Sequence, residues 1–520
     1  MRYSANAHIP ATVYANNAGF WQHVAPGRPS ARSPLPNNHS MSSHIKAAPS
    51  VSVRAIELLE RDVTLRLQFR FGVVTLTAAP QAYVRAKIRM PDGREGWGMA
   101  ADLLAPKWFD KNLALSNEDN FQQLRDAILM AARAYTSDGG PRPAFGHFSA
   151  HYDPHLDTCA KRGLNPLVAS FGPALIDRAI LDGLCRLLGL TFFDAIRRNV
   201  PGIDVAPHTP DLAGFHLGKW LASLSSPSTL DVRHTVGLVD PIRASDVKAW
   251  RKDGLPETLE QVVQTYGHSY FKIKVGGDLD EDLARLTSIA GVLDTISSPY
   301  HVTLDGNEQY DIVQGVSALW ARIAEAPRLK RFAASVLFIE QPIARVRALS
   351  HSVESLARRK PLLIDESDGD LTAFPQAKTL GYTGVSTKAC KGLYKSILNG
   401  ARCAHWNATE RGRYFLSAED LTCQAGVSVQ QDLAIVALLG LGHVERNGHH
   451  YVDGMAGIDE SEQRSFLIAH PDLYEKSFGA VRLRIAGGML SIGSLACPGL
   501  GVGPEPMWSG MRRVFIEGFA

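Results

Sequence analysis

The chain has 520 residues, 45% apolar and 21% charged, with a net charge of +3. That length allows two domains and a large core, and so nearly neutral a chain carries no electrostatic footprint for nucleic acid. No apolar run approaches the roughly 18 residues of a membrane span. The six cysteines show no CxxC spacing, which speaks against a zinc ribbon or a disulfide framework and for a reducing cytoplasm.

Residues 1–50 are rich in Pro, Asn, Ser, His and Ala and hold no acid. They read as a disordered tail, with a transit-type leader or a true start at Met41 as alternatives. From Val51 the pattern changes. VRAIELLERDVTLRLQFRFG (53–72) and AYVRAKIRMPDGREGWG (82–98) read as strands, the latter turning at Pro91-Asp92-Gly93. FQQLRDAILMAARAY is helical, so residues 51–165 form an α+β capping module. FGPALIDRAILDGLCRLLGL (171–190) has strong 3.6-residue periodicity and ends at a glycine.

Beyond it, short apolar runs alternate with helical patterns: LDVRHTVGLV, YFKIKV, HVTLDGN, SVLFIEQP, PLLIDES, GVSTKAC and YFLSAED. These are parallel βα units, and over 166–470 they predict a (β/α)8-type barrel, with a doubly wound sheet as second choice. VRLRIAGGMLSIGSL, around Gly487-Gly488, reads as a hairpin. Residues 471–520 are expected to return through PGLGVGPEP and complete the capping domain.

The run YFKIKV poses a problem of charge. Phe271, Ile273 and Val275 alternate with Lys272 and Lys274, so both lysines share one face. On an edge strand they face solvent. In a barrel they point into the lumen and require anions. HVTLD ends at Asp305, VLFIE at Glu340, PLLID at Asp365 and GVSTK at Lys388, at the spacing of successive βα units. Each charge then sits at the C-terminal end of a strand, where barrel active sites are built. Three carboxylates facing lysines suit a hard divalent cation, Mg²⁺ by default, with Mn²⁺ compatible with the same ligands.

Together these residues resemble the enolase superfamily, particularly its muconate-lactonizing and mandelate-racemase-like branch, over about 51–520. The resemblance rests on Lys272-Ile273-Lys274, Asp305 and Asn307 in LDGN, Glu340 in FIEQP, Asp365 in IDES and Lys388 in STKACKG. FGPALIDRAILDGLCRLLG resembles the helix leading into that family's barrel, and PGLG resembles the tail that rejoins its cap. The resemblance implies Mg²⁺ on Asp305, Glu340 and Asp365. It also implies Lys274 and Lys388 as acid/base catalysts on opposite faces of the substrate, the lysine/lysine subgroup. YFLSAED lacks the histidine of the mandelate racemase branch proper. The implied chemistry is removal of the proton alpha to a substrate carboxylate through a metal-stabilised enolate. Racemisation, epimerisation or cycloisomerisation follows, and an acid-sugar-type dehydratase is the alternative. A metal-independent glycosidase and a non-catalytic scaffold are the other classes.

Lys272 is expected to hold a substrate carboxylate and to lower the pKa of Lys274. Asn307, Glu419 at the seventh strand end, and Asp453 in the eighth unit are expected to contact substrate. Dipeptide epimerases of the family carry Asp-x-Asp at that last place, and Tyr451-Val452-Asp453 matches only the second acid. HVERNGHHYVDG (443–454) holds three histidines, but the oxygen cluster already serves a metal. FRFGVVTLT (69–77) resembles the family's specificity loop, with Phe71 and Val73 as apolar cover. The expected partner is a small-molecule carboxylate, with neither nucleic acid nor membrane, in a chain that can form a homo-oligomer.

Overall fold

The computed structural model describes residues 48–410 and 413–518. Apart from 48–50, the tail and its Met41 therefore lie outside the described residues.

The cap is an antiparallel sheet of β1 (Ser50–Phe71), β2 (Val74–Arg89) and β3 (Glu95–Leu103), with the last strand, β16 (Arg512–Gly518), lying along the outer edge of β1. The short β4 (Arg142–Pro143) also pairs with β1. Gly93, at φ 90°, makes the tight β2–β3 turn, where the Met90 amide donates to Arg94 O at 2.8 Å. The helix Asn117–Asp138 opens with a reciprocal capping box between Ser116 and Asp119 and stops at Gly139 in the left-handed region.

The helix Pro166–Leu188 joins cap to barrel. Asn165 caps its start, and Gly189, at φ 63°, ends it. It is buried along most of its length because β3 lies directly on it. At Gly98 the contact is backbone on backbone: a Cβ there would lie 2.0 Å from Ala179 O and 2.2 Å from Gly183 N. Asp182 fastens the same helix to β3 and to the tail segment, accepting from the Met99 amide at 3.0 Å and the Leu500 amide at 2.7 Å.

Eight parallel strands follow: β5 (Thr229–Val236), β6 (Tyr270–Lys274), β7 (His301–Asp305), β8 (Val336–Glu340), β9 (Leu362–Ile364), β10 (Gly384–Thr387), β11 (Phe415–Ala418) and β12 (His443–Arg446). Each pairs with the next, and β12 pairs with β5, so the sheet closes into a barrel and the doubly wound alternative falls. The eighth strand is HVER. FKIK is not an edge strand, since Lys272 and Lys274 are 1% and 6% exposed. Phe338, Leu363 and Phe415 pack together inside the barrel.

The expected hairpin is only half present. Ala486 and Met489 exchange backbone hydrogen bonds around Gly487-Gly488. However, β14 (Ala480–Leu483) pairs backwards with β13 (Tyr474–Ser477), and β15 (Met489–Ser491) runs antiparallel to β5. The two arms part because Gly488 O accepts from the Val232 amide at 2.7 Å, which zips the second arm onto the barrel. Among the described residues no helix is long and apolar enough to cross a membrane.

Gly98→Ala drives a methyl group into the backbone of the helix beneath. It should cost about 1–3 kcal/mol or more, read as a lower urea midpoint at unchanged m-value. A variant as stable as the parent would mean that the sheet–helix contact is slack.

Candidate active site

Lys274, Asp305 and Glu340 are the last residues of β6, β7 and β8, and Asp365 and Lys388 come immediately after β9 and β10. In register, Lys274 stands beside Asp305 and Asp305 beside Glu340. Lys272, Lys274, Asp305, Asn307, Asp365 and Lys388 line one pocket under the cap. Glu340 is fully buried next to it.

The pocket floor is a lattice of ion pairs. Lys272 Nζ donates to Glu340 at 2.8 Å, Glu419 at 2.7 Å and Glu445 at 3.0 Å, and lies 2.9 Å from Asp305. Burial opposes its charge, but Asp305 and the three glutamates outweigh burial and hold its pKa well above the ordinary lysine value. Lys274 Nζ donates to Asp305 at 2.6 Å and Lys388 Nζ to Asp365 at 2.8 Å. Burial also works against the charge on Lys388, and Asp365 leads the acids that reverse this and raise its pKa. Lys391 lies 2.9 Å from the other Asp365 oxygen, and the Ser386 hydroxyl donates to that same oxygen. Deeper in the lumen, Arg233 pairs with Glu419.

This arrangement corrects several expectations. Lys272 lines the pocket as expected, but four protein carboxylates surround its ammonium and take up its hydrogen bonds. Glu419 does not line the pocket; it is locked between Lys272 and Arg233. Asp453 does not line it either. Its side chain is 46% exposed and pairs with Arg482 at 2.6 Å. The residue this segment turns inward is Tyr451, whose hydroxyl donates to Asp240 and whose ring stacks on Phe69 at 4.3 Å.

Other contributors were not expected. Glu445 comes from β12, which is too short and too charged to announce itself as a strand. From the cap, the Trp108 ring lies 4.0 Å from Lys388 Nζ, and Phe69 and Phe71 lie 5.8 and 5.9 Å from Lys274 Nζ. Phe71 therefore covers the site as expected, whereas Val73, at the hairpin tip, is 45% exposed. Arg345 holds this cover in place by donating to Trp108 O at 2.7 Å and Phe109 O at 2.8 Å, and Lys111 donates to Asn307 O at 2.6 Å. Asn307 in turn donates to Glu366 at 3.0 Å. Burial, then Asp365, pushes the Glu366 carboxyl up to about 7. Asn307, Glu308, Gln341 and Thr422 all hold φ between 31° and 66° around this mouth. Strained backbone concentrates there because the surrounding contacts over-determine it. The enclosed space is only about 20 Å³.

Asp305, Glu340 and Asp365 offer oxygen donors of the kind Mg²⁺ takes. Asn307 Oδ1 is buried with no hydrogen-bond partner, whereas Glu340 Oε2 lies 2.8 Å from the Lys272 ammonium. By chemistry the donor set fits. The three acids are not drawn within 4.8 Å of one another, however; among the described residues only a histidine group outside the lumen is. A divalent ion would take oxygens that lysines now bind.

A closed parallel barrel under an antiparallel cap, with its charges gathered at the strand ends, defines the architectural class. No family model matches the sequence, and no curated protein is similar to it in sequence. Solved structures share the fold. A member of the enolase superfamily from Roseovarius nubinhibens ISM aligns at 18% identity and TM-score 0.52, covering 90% of this chain and 100% of its own. The N-succinyl Arg/Lys racemase of Bacillus cereus ATCC 14579 aligns at 17% identity and TM-score 0.56, covering 90% and 99%. An enolase from Bradyrhizobium, complexed with magnesium and mandelic acid, aligns at 14% identity and TM-score 0.52, covering 87% and 96%.

Lys272→Met leaves four buried carboxylates without their shared ammonium. Removing one partner of a buried ion pair costs about 3–5 kcal/mol, so the variant should melt well below the parent in EDTA. Added Mg²⁺ should raise its Tm more than the parent's. A Tm unchanged from the parent in EDTA would show that the ammonium is not what balances these acids.

Proposed function

We propose that the chain is an enzyme of the enolase superfamily, of its lysine/lysine subgroup, that removes the proton alpha to the carboxylate of a small substrate and returns one. The reading is that of a racemase or epimerase, with cycloisomerisation sharing the same first step. One observation carries it. β6 and β10 are four strands apart in a ring of eight, so Lys274 and Lys388 enter a single pocket from opposite walls. Two ammonium/amine groups facing each other across a pocket can serve both faces of one carbon. The named racemase among the structures of this fold fits the same reading.

Asp305, Glu340 and Asp365 would hold Mg²⁺, which supplies positive charge where negative charge develops on the substrate carboxylate. The other contributions are the chain's own. One lysine takes the proton and the other delivers one to the opposite face. Asn307, fixed through Glu366, orients a polar group at the pocket wall. Phe69, Phe71 and Trp108 exclude water from a space of about 20 Å³. The free thiols, five of them buried, suit a reducing cytoplasm.

The test is a carboxylate library incubated with enzyme and Mg²⁺ in D₂O, followed by α-deuterium uptake. Lys274→Ala and Lys388→Ala should each slow interconversion about 10²–10⁴-fold, while each retains exchange of one enantiomer only. Loss of water from the substrate would identify a dehydratase instead. Uptake indifferent to EDTA and to both substitutions would overturn the proposal.

A further inference from the structure

On the outer side of the same barrel wall the chain gathers histidines that the proposed chemistry does not use. Arg233 and Thr235 of β5 reach into the lumen, where they bond Glu419 and Glu445. His234, between them, therefore points outward. It meets His268, two residues before β6, and His449, on the short helix Gly448–Tyr451 after β12. One ring nitrogen of each of the three lies within 4.8 Å of the other two.

Three observations favour a metal over mere packing. First, His234 Nδ1 and His449 Nε2, which here share a hydrogen bond, are 3.2 Å apart. Two nitrogens at 2.0–2.1 Å from a tetrahedral ion are separated by about 3.3 Å. Second, His268 Nδ1 lies 3.1 Å from Val232 O. A carbonyl only accepts, so Nδ1 carries the proton and Nε2 keeps its lone pair. That atom is buried and has no hydrogen-bond partner. An outer nitrogen tied to a backbone carbonyl with the inner one free is how a metal-binding histidine is held. Third, His449 stands on the wall of a separate cavity of about 120 Å³, lined also by Tyr266, Asp420 and Glu475, which leaves open space beside one of the three ligands. The nearby cations are already paired, Arg446 with Asp420 and Asp432, and Arg66 with Asp253.

We propose that His234, His268 and His449 form a second, all-nitrogen metal site for Zn²⁺, distinct from the carboxylate site in the lumen, with water as fourth ligand. Imidazole donors select Zn²⁺ and its neighbours over Mg²⁺. The ion would clamp the segment after β12, including the pocket-lining Asn447, to β5 and β6.

The probe is Co²⁺, then Zn²⁺, added to the EDTA-treated full chain. One equivalent of Co²⁺ should give the intense visible band of a four-coordinate site, and Zn²⁺ should quench it. His268→Gln and His449→Gln should weaken Co²⁺ binding by roughly a hundredfold or more, while Asp305→Asn and Asp365→Asn leave the band unchanged. No band at millimolar Co²⁺, or a band lost in the aspartate variants and kept in the histidine ones, would overturn the proposal. Should the histidine variants fail to fold, zinc-edge X-ray absorption of the loaded parent decides. Imidazole outer-shell scattering from three ligands supports the site, and an oxygen-only shell refutes it.

Discussion

The ammonium of Lys272 is the constraint around which the barrel closes. It lies in the lumen within 3.0 Å of carboxylates from β7, β8 and β12 and from the end of β11. Buried carboxylates repel one another and lose their hydration, so they are tolerable only when cations are interleaved among them. Here Asp305, Glu340, Asp365, Glu419 and Glu445 are matched by Lys272, Lys274, Lys388, Lys391 and Arg233. The match also fixes register. A one-residue slip of β6 would put Ile273 where Lys272 stands and would turn both ammonium groups outward. Correct pairing of strands and balance of charge are one condition.

The cap supplies what the barrel lacks. Trp108, Phe69 and Phe71 place aromatic faces near Lys388 and Lys274 where water would otherwise stand. Excluding water lowers the local dielectric, which strengthens each ion pair and sharpens the influence of any charge added to the pocket. The cover is anchored from below: Arg345 holds the Trp108 and Phe109 carbonyls, and Lys111 holds the Asn307 carbonyl. β16 lies on β1, and Asp182 ties β3 and the tail segment at Leu500 to one helix. Cap and barrel are thus joined at the site, and the C-terminal segment is tied back to the cap and its linking helix.

The strand-end charges were legible because each ended an apolar run that could be counted along the chain. What stayed hidden follows a physical pattern. Glu445 lies in HVER, where Val444 is the sole apolar residue, so no periodicity marked the strand. Arg233 sits in LDVRHTVGLV, which showed the strand but not which residues face the lumen. Trp108 lies in a loop after β3, and only tertiary docking through Arg345 brings it to Lys388. Asp453 was placed by analogy with a spacing that Tyr451 breaks, since Tyr451 takes the inward position. The pairing of β14 with β13 depended on competition, because β15 had a better partner in β5.

Strand alternation also separates two chemistries across one thickness of sheet. On β5, Arg233 and Thr235 serve the oxygen-rich lumen, while His234 faces imidazoles outside. Carboxylates paired with ammonium groups select hard ions and anionic substrates, whereas neutral imidazoles select borderline metals. Because the β5 backbone lies between them, neither donor set can borrow ligands from the other. The segment after β12 touches both, with Asn447 at the pocket and His449 two residues further on, outside the lumen. With β5 and β6, that segment is an element the two sites share, so the placement of the short helix is one route by which they can be coupled.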